Sequence, residues 1–138
     1  MNTLIFNQLA EICKDTGDSK VVNYIFENGM FNFTLELDND EKINLKFKTS
    51  SVFADNISNN KLENTGLLQV FKLSELLTVK DKFYISDSNF KELMNIRKIK
   101  ANMAIGLLEK EVDYLITYSG YRVIFSFIVN SNDNFYLE

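Results

Sequence analysis

Phe31-Asn32-Phe33-Thr34-Leu35-Glu36-Leu37-Asp38-Asn39-Asp40-Glu41-Lys42-Ile43-Asn44-Leu45-Lys46-Phe47 is the stretch that decides the fold class. Before the turn at residues 38–41, Phe31, Phe33, Leu35 and Leu37 alternate with Asn32, Thr34 and Glu36. After it, Ile43, Leu45 and Phe47 alternate with Asn44, Lys46 and Lys48. Successive strand side chains point to opposite faces, so this period of two predicts a hairpin with one dry face and one wet face. Upstream, Asn28-Gly29 is a tight-turn signal, because both residues tolerate positive φ. Val22, Tyr24 and Phe26 alternate with Val21, Asn23 and Ile25, which makes a first strand of a β-meander; a short helix is the alternative there.

Further out, residues 3–15 place Ile5, Phe6, Leu9, Ile12 and Cys13 on one helical stripe, with Gly17 as a stop. Cys13 lies on that stripe and reads as a core thiol. Residues 50–66 read as a long polar loop, with Val52 and Phe53 starting a short sheet extension. Residues 67–73 read as a strand, residues 74–79 fit a helical turn or a strand, and residues 82–86 read as extended. A second helix is expected to be capped by Ser88 or Asn89. It carries Phe90, Leu93, Met94, Ala101, Ala104, Ile105 and Leu108 to about residue 109.

The last hairpin runs through Val112, Tyr114, Ile116 and Tyr118 to Ser119-Gly120 and returns through Tyr121, Val123, Phe125, Phe127 and Val129. Its return strand is apolar on both parities, so it belongs centrally in a sheet or in a homodimer interface. Phe135, Tyr136 and Leu137 dock or fray. The expected architecture is one α+β domain over residues 1–138. It has a mainly antiparallel sheet of about six strands with two helices packed on one face.

Composition narrows the chemistry. The 138 residues include no histidine, tryptophan or proline, and one cysteine. Imidazole-based triads, histidine metal sites and internal disulfides are therefore excluded. All five glycines are isolated, so no phosphate-binding glycine loop is present. No catalytic residue, metal or cofactor is expected. The net charge is −4, and only Arg97 and Arg122 are arginine. Both features disfavour duplex nucleic acid and anionic membranes. The N-terminus carries no export signal and no span of about 18 apolar residues exists, so the expected compartment is the cytoplasm.

Four constellations remain. Asp38, Asp40 and Glu41 form the densest acidic cluster. Lys42 and Ile43 break any calcium-loop pattern, so the cluster reads as a solvated turn that can meet a basic partner. Lys91, Arg97, Lys98 and Lys100 put positive charge on the second helix; Lys91 and Lys98 share a wet face, and Arg97 falls on the flank of the apolar stripe. Glu109, Glu111 and Asp113 cluster at a helix-to-strand junction, where charge is common. Tyr118 and Tyr121 flank the final turn, where tyrosines anchor an interface or pair across the sheet.

The function expected from these residues is non-enzymatic. It is a stoichiometric inhibitor of another protein, foremost a toxin-neutralising immunity protein and next a phage anti-defence protein. Asp38, Asp40, Glu41, Tyr118 and Tyr121 are its candidate contacts, and a basic toxin or nuclease is the expected partner. The alternative is a small-ligand or enzymatic domain with a pocket between sheet and helix.

Overall fold

The computed structural model describes residues 3–54, 65–82, 85–104, 113–120, 123–130 and 135–137. The chain is α+β. Helix α1 (Thr3–Lys14) leads into β1 (Lys20–Glu27), β2 (Met30–Glu36) and β3 (Lys42–Lys48). Strands β4 (Val52–Ala54) and β5 (Leu67–Lys72) follow, then a single 3₁₀ turn and helices α2 (Leu76–Lys82) and α3 (Asp87–Ala104). Strands β6 (Tyr114–Ser119), β7 (Val123–Val129) and β8 (Phe135–Leu137) end the chain.

The strands build two antiparallel sheets rather than the single six-stranded sheet expected. One has the order β1-β2-β3-β8 and the other β4-β7-β6-β5. The physical reason lies in what covers the dry face of the β2–β3 hairpin. Phe31, Phe33 and Phe47 meet rings from the second sheet, not a helix. Phe31 lies 5.2 Å from both Phe125 and Phe127, Phe33 5.1 Å from Phe125, and Phe47 5.0 Å from Phe127, between ring centroids. Most of these contacts are edge-on, the arrangement ring quadrupoles favour. Leu9 and Cys13 of α1 complete the same core, and α1 lies along β5.

The second sheet is dry on both sides. Tyr114, Ile116 and Tyr118 point into the aromatic core, while Leu115 joins Phe53, Leu76, Val79 and Leu93 in a second cluster with α2 and α3. Burial of β7 on both parities therefore has an explanation within one chain. It sits between β4 and β6, with the aromatic core on one side and the helical cluster on the other. On one side β6 pairs along its length, and on the other β4 pairs with Phe125, Ser126 and Phe127. The helices are also split, with α1 in the inter-sheet core and α2 and α3 beyond the second sheet.

Local chemistry explains the turns. Asn28 and Gly29 have φ of 54° and 74°, the left-handed pair that a two-residue hairpin needs. Residues 74–79 resolve as helix, and Glu75 accepts a bond from the Lys72 amide at its start. The cap of α3 is Ser86 rather than Ser88 or Asn89. Its hydroxyl accepts from the Asn89 amide at 3.3 Å and its carbonyl from the Phe90 amide at 2.9 Å. Lys80 of α2 sits 3.7 Å over the Phe90 ring and ties the two helices together. Short β8 docks on β3, with Phe135 opposite Phe47.

Two polar clamps join the sheets. At one end Thr49, buried just after β3, donates its hydroxyl to the Ile128 carbonyl at 2.7 Å. At the other, Ser19 and Gly66 exchange backbone bonds, and Tyr118 Oη donates to the Ser19 carbonyl at 2.6 Å. Gly66 has to be glycine, since a Cβ there would stand 2.8 Å from the Tyr118 ring. Tyr118→Phe removes the hydroxyl's two buried bonds, to the Ser19 carbonyl and the Ser19 hydroxyl, and leaves Ser19 bonded to Gly66 alone. It is expected to lower stability by about 1–3 kcal/mol in urea titrations, with the slope unchanged.

Burial also sets the pH response. Desolvation pushes the Cys13 thiol up to about 12. It also raises Tyr118, against opposing hydrogen bonds from Ser19 and the Gly66 backbone. The folded state thus favours both neutral forms. Below pH 9 the Cys13 thiol is neutral folded and unfolded, so its contribution is intact. Above pH 9 the unfolded thiol ionises and the folded one does not. Stability is then expected to fall by up to about 1.4 kcal/mol per pH unit per group, until the folded value near 12 is reached. Melts from pH 7 to 11 should show this decline, and it should be shallower in Cys13→Ala.

Candidate functional site

The surface is organised by sheet edges and by strand parity. Among the described residues strand β1 pairs only with β2, so its other side is an edge of the first sheet as described. Its register slips between Val21 and Asn23, a bulge that takes Val22 out of the ladder. Proteins usually blunt an edge with charge, proline or brevity. Here the edge strand has eight residues, with charge only at its ends, Lys20 and Glu27. Along it Val22, Ile25 and Phe26 are 43%, 53% and 43% exposed. Tyr24, between them, is half-buried against the aromatic core. Exposed apolar side chains on an unpaired edge are the arrangement that β-strand addition uses.

The acidic turn sits at one end of this edge. Lys20 at the start of β1 lies opposite Glu36 at the end of β2, and the turn follows directly. Asp38, Asp40 and Glu41 are all exposed there. The turn is held by the Leu37 amide to the Glu41 carbonyl at 2.7 Å and the Glu41 amide to Asn39 Oδ1 at 3.1 Å. Asp40 has φ of 67°. Asparagine and aspartate adopt this left-handed conformation more readily than most residues. Asp18, exposed just before β1, adds a fourth carboxylate near this corner.

The tyrosine candidates fare differently. Tyr118 is 0% exposed; it stacks on Phe125 at 5.3 Å and closes the Ser19 clamp. It is a core residue and offers no surface to a partner. Tyr121 lies outside the described residues, as do Glu109 and Glu111 of the carboxylate cluster. Asp113 is half-buried at the start of β6, and its carbonyl accepts the Leu73 amide. On α3 Lys91 and Lys98 are exposed and Arg97 is half-buried on the flank of the stripe.

Among the described residues, no group of three or more carboxylates or thiols is placed to hold a metal ion. Two buried hydroxyls, Thr117 Oγ1 and Ser119 Oγ, find no hydrogen-bond partner among the described residues. They lie on the helix-facing side of β6, where Thr117 is opposite Gln69 on β5 and Ser126 on β7.

Sequence reasoning missed two features. The first is the edge, because apolar Val22 and Ile25 look like core residues until strand order is known. The second is a groove of about 340 Å³ where β3, β4, β7 and α3 meet. No described helix is long and apolar enough to cross a membrane. Compared with protein-family models, curated proteins and solved structures, the chain matches none.

Proposed function

We propose that this chain is a non-enzymatic binding protein that neutralises another protein by stoichiometric association. The observation that carries this is the corner formed by β1 and the acidic turn. Val22, Ile25 and Phe26 stand exposed on the sheet edge, and Asp38, Asp40 and Glu41 crowd one end of it. The apolar side chains and free strand edge would supply affinity, and the carboxylates would steer a basic partner and set its register. A toxin-neutralising immunity protein is the favoured version, because toxins that handle nucleic acid present basic surfaces. A phage anti-defence inhibitor shares the same physics.

The test begins with a tagged chain in its source cells. The captured protein is identified and purified, and the complex is rebuilt from pure components. The expected result is a 1:1 complex with a basic protein whose activity is lost on binding. A partner whose activity persists in the saturated complex contradicts neutralisation.

A further inference from the structure

We propose that the edge of β1 pairs with β1 of a second copy of this chain, antiparallel about a two-fold axis at Ile25. The resulting weak dimer covers the binding edge until a partner displaces it. The pairing stands on the geometry of β1 alone; its role as a cover rests on the binding reading above.

The regular part of the strand is bounded at both ends. The bulge at Val22 closes it on one side and the Asn28-Gly29 turn on the other, which leaves residues 23–27. Ile25 is at the centre of that run and is 53% exposed. The turn also sets which backbone groups face outward. In a two-residue hairpin the flanking residues, here Glu27 and Met30, form a hydrogen-bonded pair, and bonded and non-bonded pairs alternate from there. Asn23, Ile25 and Glu27 therefore direct their backbone groups to β2, and Tyr24 and Phe26 direct theirs to the edge.

The side chains sort by the same parity. Tyr24 and Phe26 lie opposite Phe33 and Phe31, on the face of the aromatic core, while Asn23 and Ile25 lie opposite Thr34 and Asn32, on the outer face. A two-fold axis at Ile25 satisfies both patterns. Tyr24 of each copy then exchanges both backbone bonds with Phe26 of the other, and their rings are neighbours on the core face. Ile25 meets Ile25 of the copy on the outer face. Asn23 faces Glu27 of the copy, where its amide can donate to the carboxylate. Sliding by two residues would set Ile25 against Asn23 or Glu27. Sliding by one would bring core-facing side chains opposite outer ones.

The pairing joins two four-stranded sheets into one continuous sheet. A stable interface buries about 1,200–2,000 Å² in total, and two short strands bury less, so the dimer yields to a partner with a larger contact.

The test is sedimentation of the whole pure chain from low micromolar to near-millimolar concentration. A reversible monomer–dimer equilibrium is expected. It should weaken by about tenfold or more in Ile25→Lys, which sets two ammonium groups face to face on the axis. The melting temperature of the dilute variant checks that the fold is kept. Register is read by crosslinking with diamide, which takes two electrons from a pair of thiols. The Cα atoms of Ile25 and its copy would stand about 4.5 Å apart, within the span of a disulfide, so Ile25→Cys should link. Asn23→Cys should not link alone and should link when mixed with Glu27→Cys; the native Cys13 is buried. A chain that stays monomeric, a dimer indifferent to Ile25→Lys, or Asn23→Cys linking as readily as Ile25→Cys would overturn the proposal, and none of these touches partner binding. A disulfide-locked Ile25→Cys dimer that still takes the captured partner at full affinity would overturn the cover role and contradict β1 as the binding edge.

Discussion

Phe33→Ala is expected to cost about 3–5 kcal/mol, the usual cost of truncating a fully buried phenylalanine. Phe33 has no exposed surface, and its ring is surrounded by those of Phe31, Phe47, Phe125 and Phe127 at 5.1, 5.9, 5.1 and 6.2 Å. The hole left between two sheets cannot collapse easily, since both walls are hydrogen-bonded ladders. At about 2.1 cal/mol/K per residue, this corresponds to a fall in melting temperature on the order of 10–17 °C. Phe26→Ala, at a half-exposed ring on β1, should cost about 1 kcal/mol or less. A double-mutant cycle between Phe33 and Phe125 adds a topological test. The two rings belong to different sheets, so a coupling of about 0.5–1.5 kcal/mol is expected.

The second large effect concerns binding. Val22→Lys with Ile25→Lys places two ammonium groups on the exposed edge of β1. Both positions are exposed, so stability should move by about 0.5 kcal/mol or less. Affinity for a basic partner should nevertheless fall by about a hundredfold or more, through lost apolar contact and added like charge. Removing the charges of the turn, as Asp38→Asn, Asp40→Asn and Glu41→Gln, acts on a different quantity. Asparagine tolerates the positive φ at residue 40, so the turn should persist. The association rate and its salt dependence should drop, with a smaller change in dissociation rate. Surface plasmon resonance with the identified partner at two salt concentrations separates the two outcomes.

Much of the fold is legible in particular residues. The alternation from Phe31 to Phe47 correctly marks a hairpin with one dry face, and Asn28-Gly29 marks its neighbouring turn. Both parities of β7 are apolar because that strand is central between two cores. What alternation does not carry is the identity of the layer covering the dry face. A helix and a second sheet present the same apolar surface to Phe33, so the two-sheet arrangement stayed hidden. Strands β4 and β8 have three residues each, too few for a periodic signal.

The candidate surface was half legible. Asp38, Asp40 and Glu41 are read from charge and turn chemistry, and they are exposed. Tyr118 looks like an interface tyrosine because it adjoins a turn, yet its hydroxyl is used by Ser19, ninety-nine positions away. Such a contact depends on strand order, which no local pattern encodes. The edge position of β1 is hidden for the same reason.

The central claim, that β1 and the acidic turn are the binding surface, is tested most directly by hydrogen exchange on the purified complex. Amides of β1 that point away from β2 exchange freely when the edge is open. New protection confined to residues 20–27 and 37–42 on binding is the predicted result. Protection of α3 or the groove instead, with β1 unchanged, would contradict it.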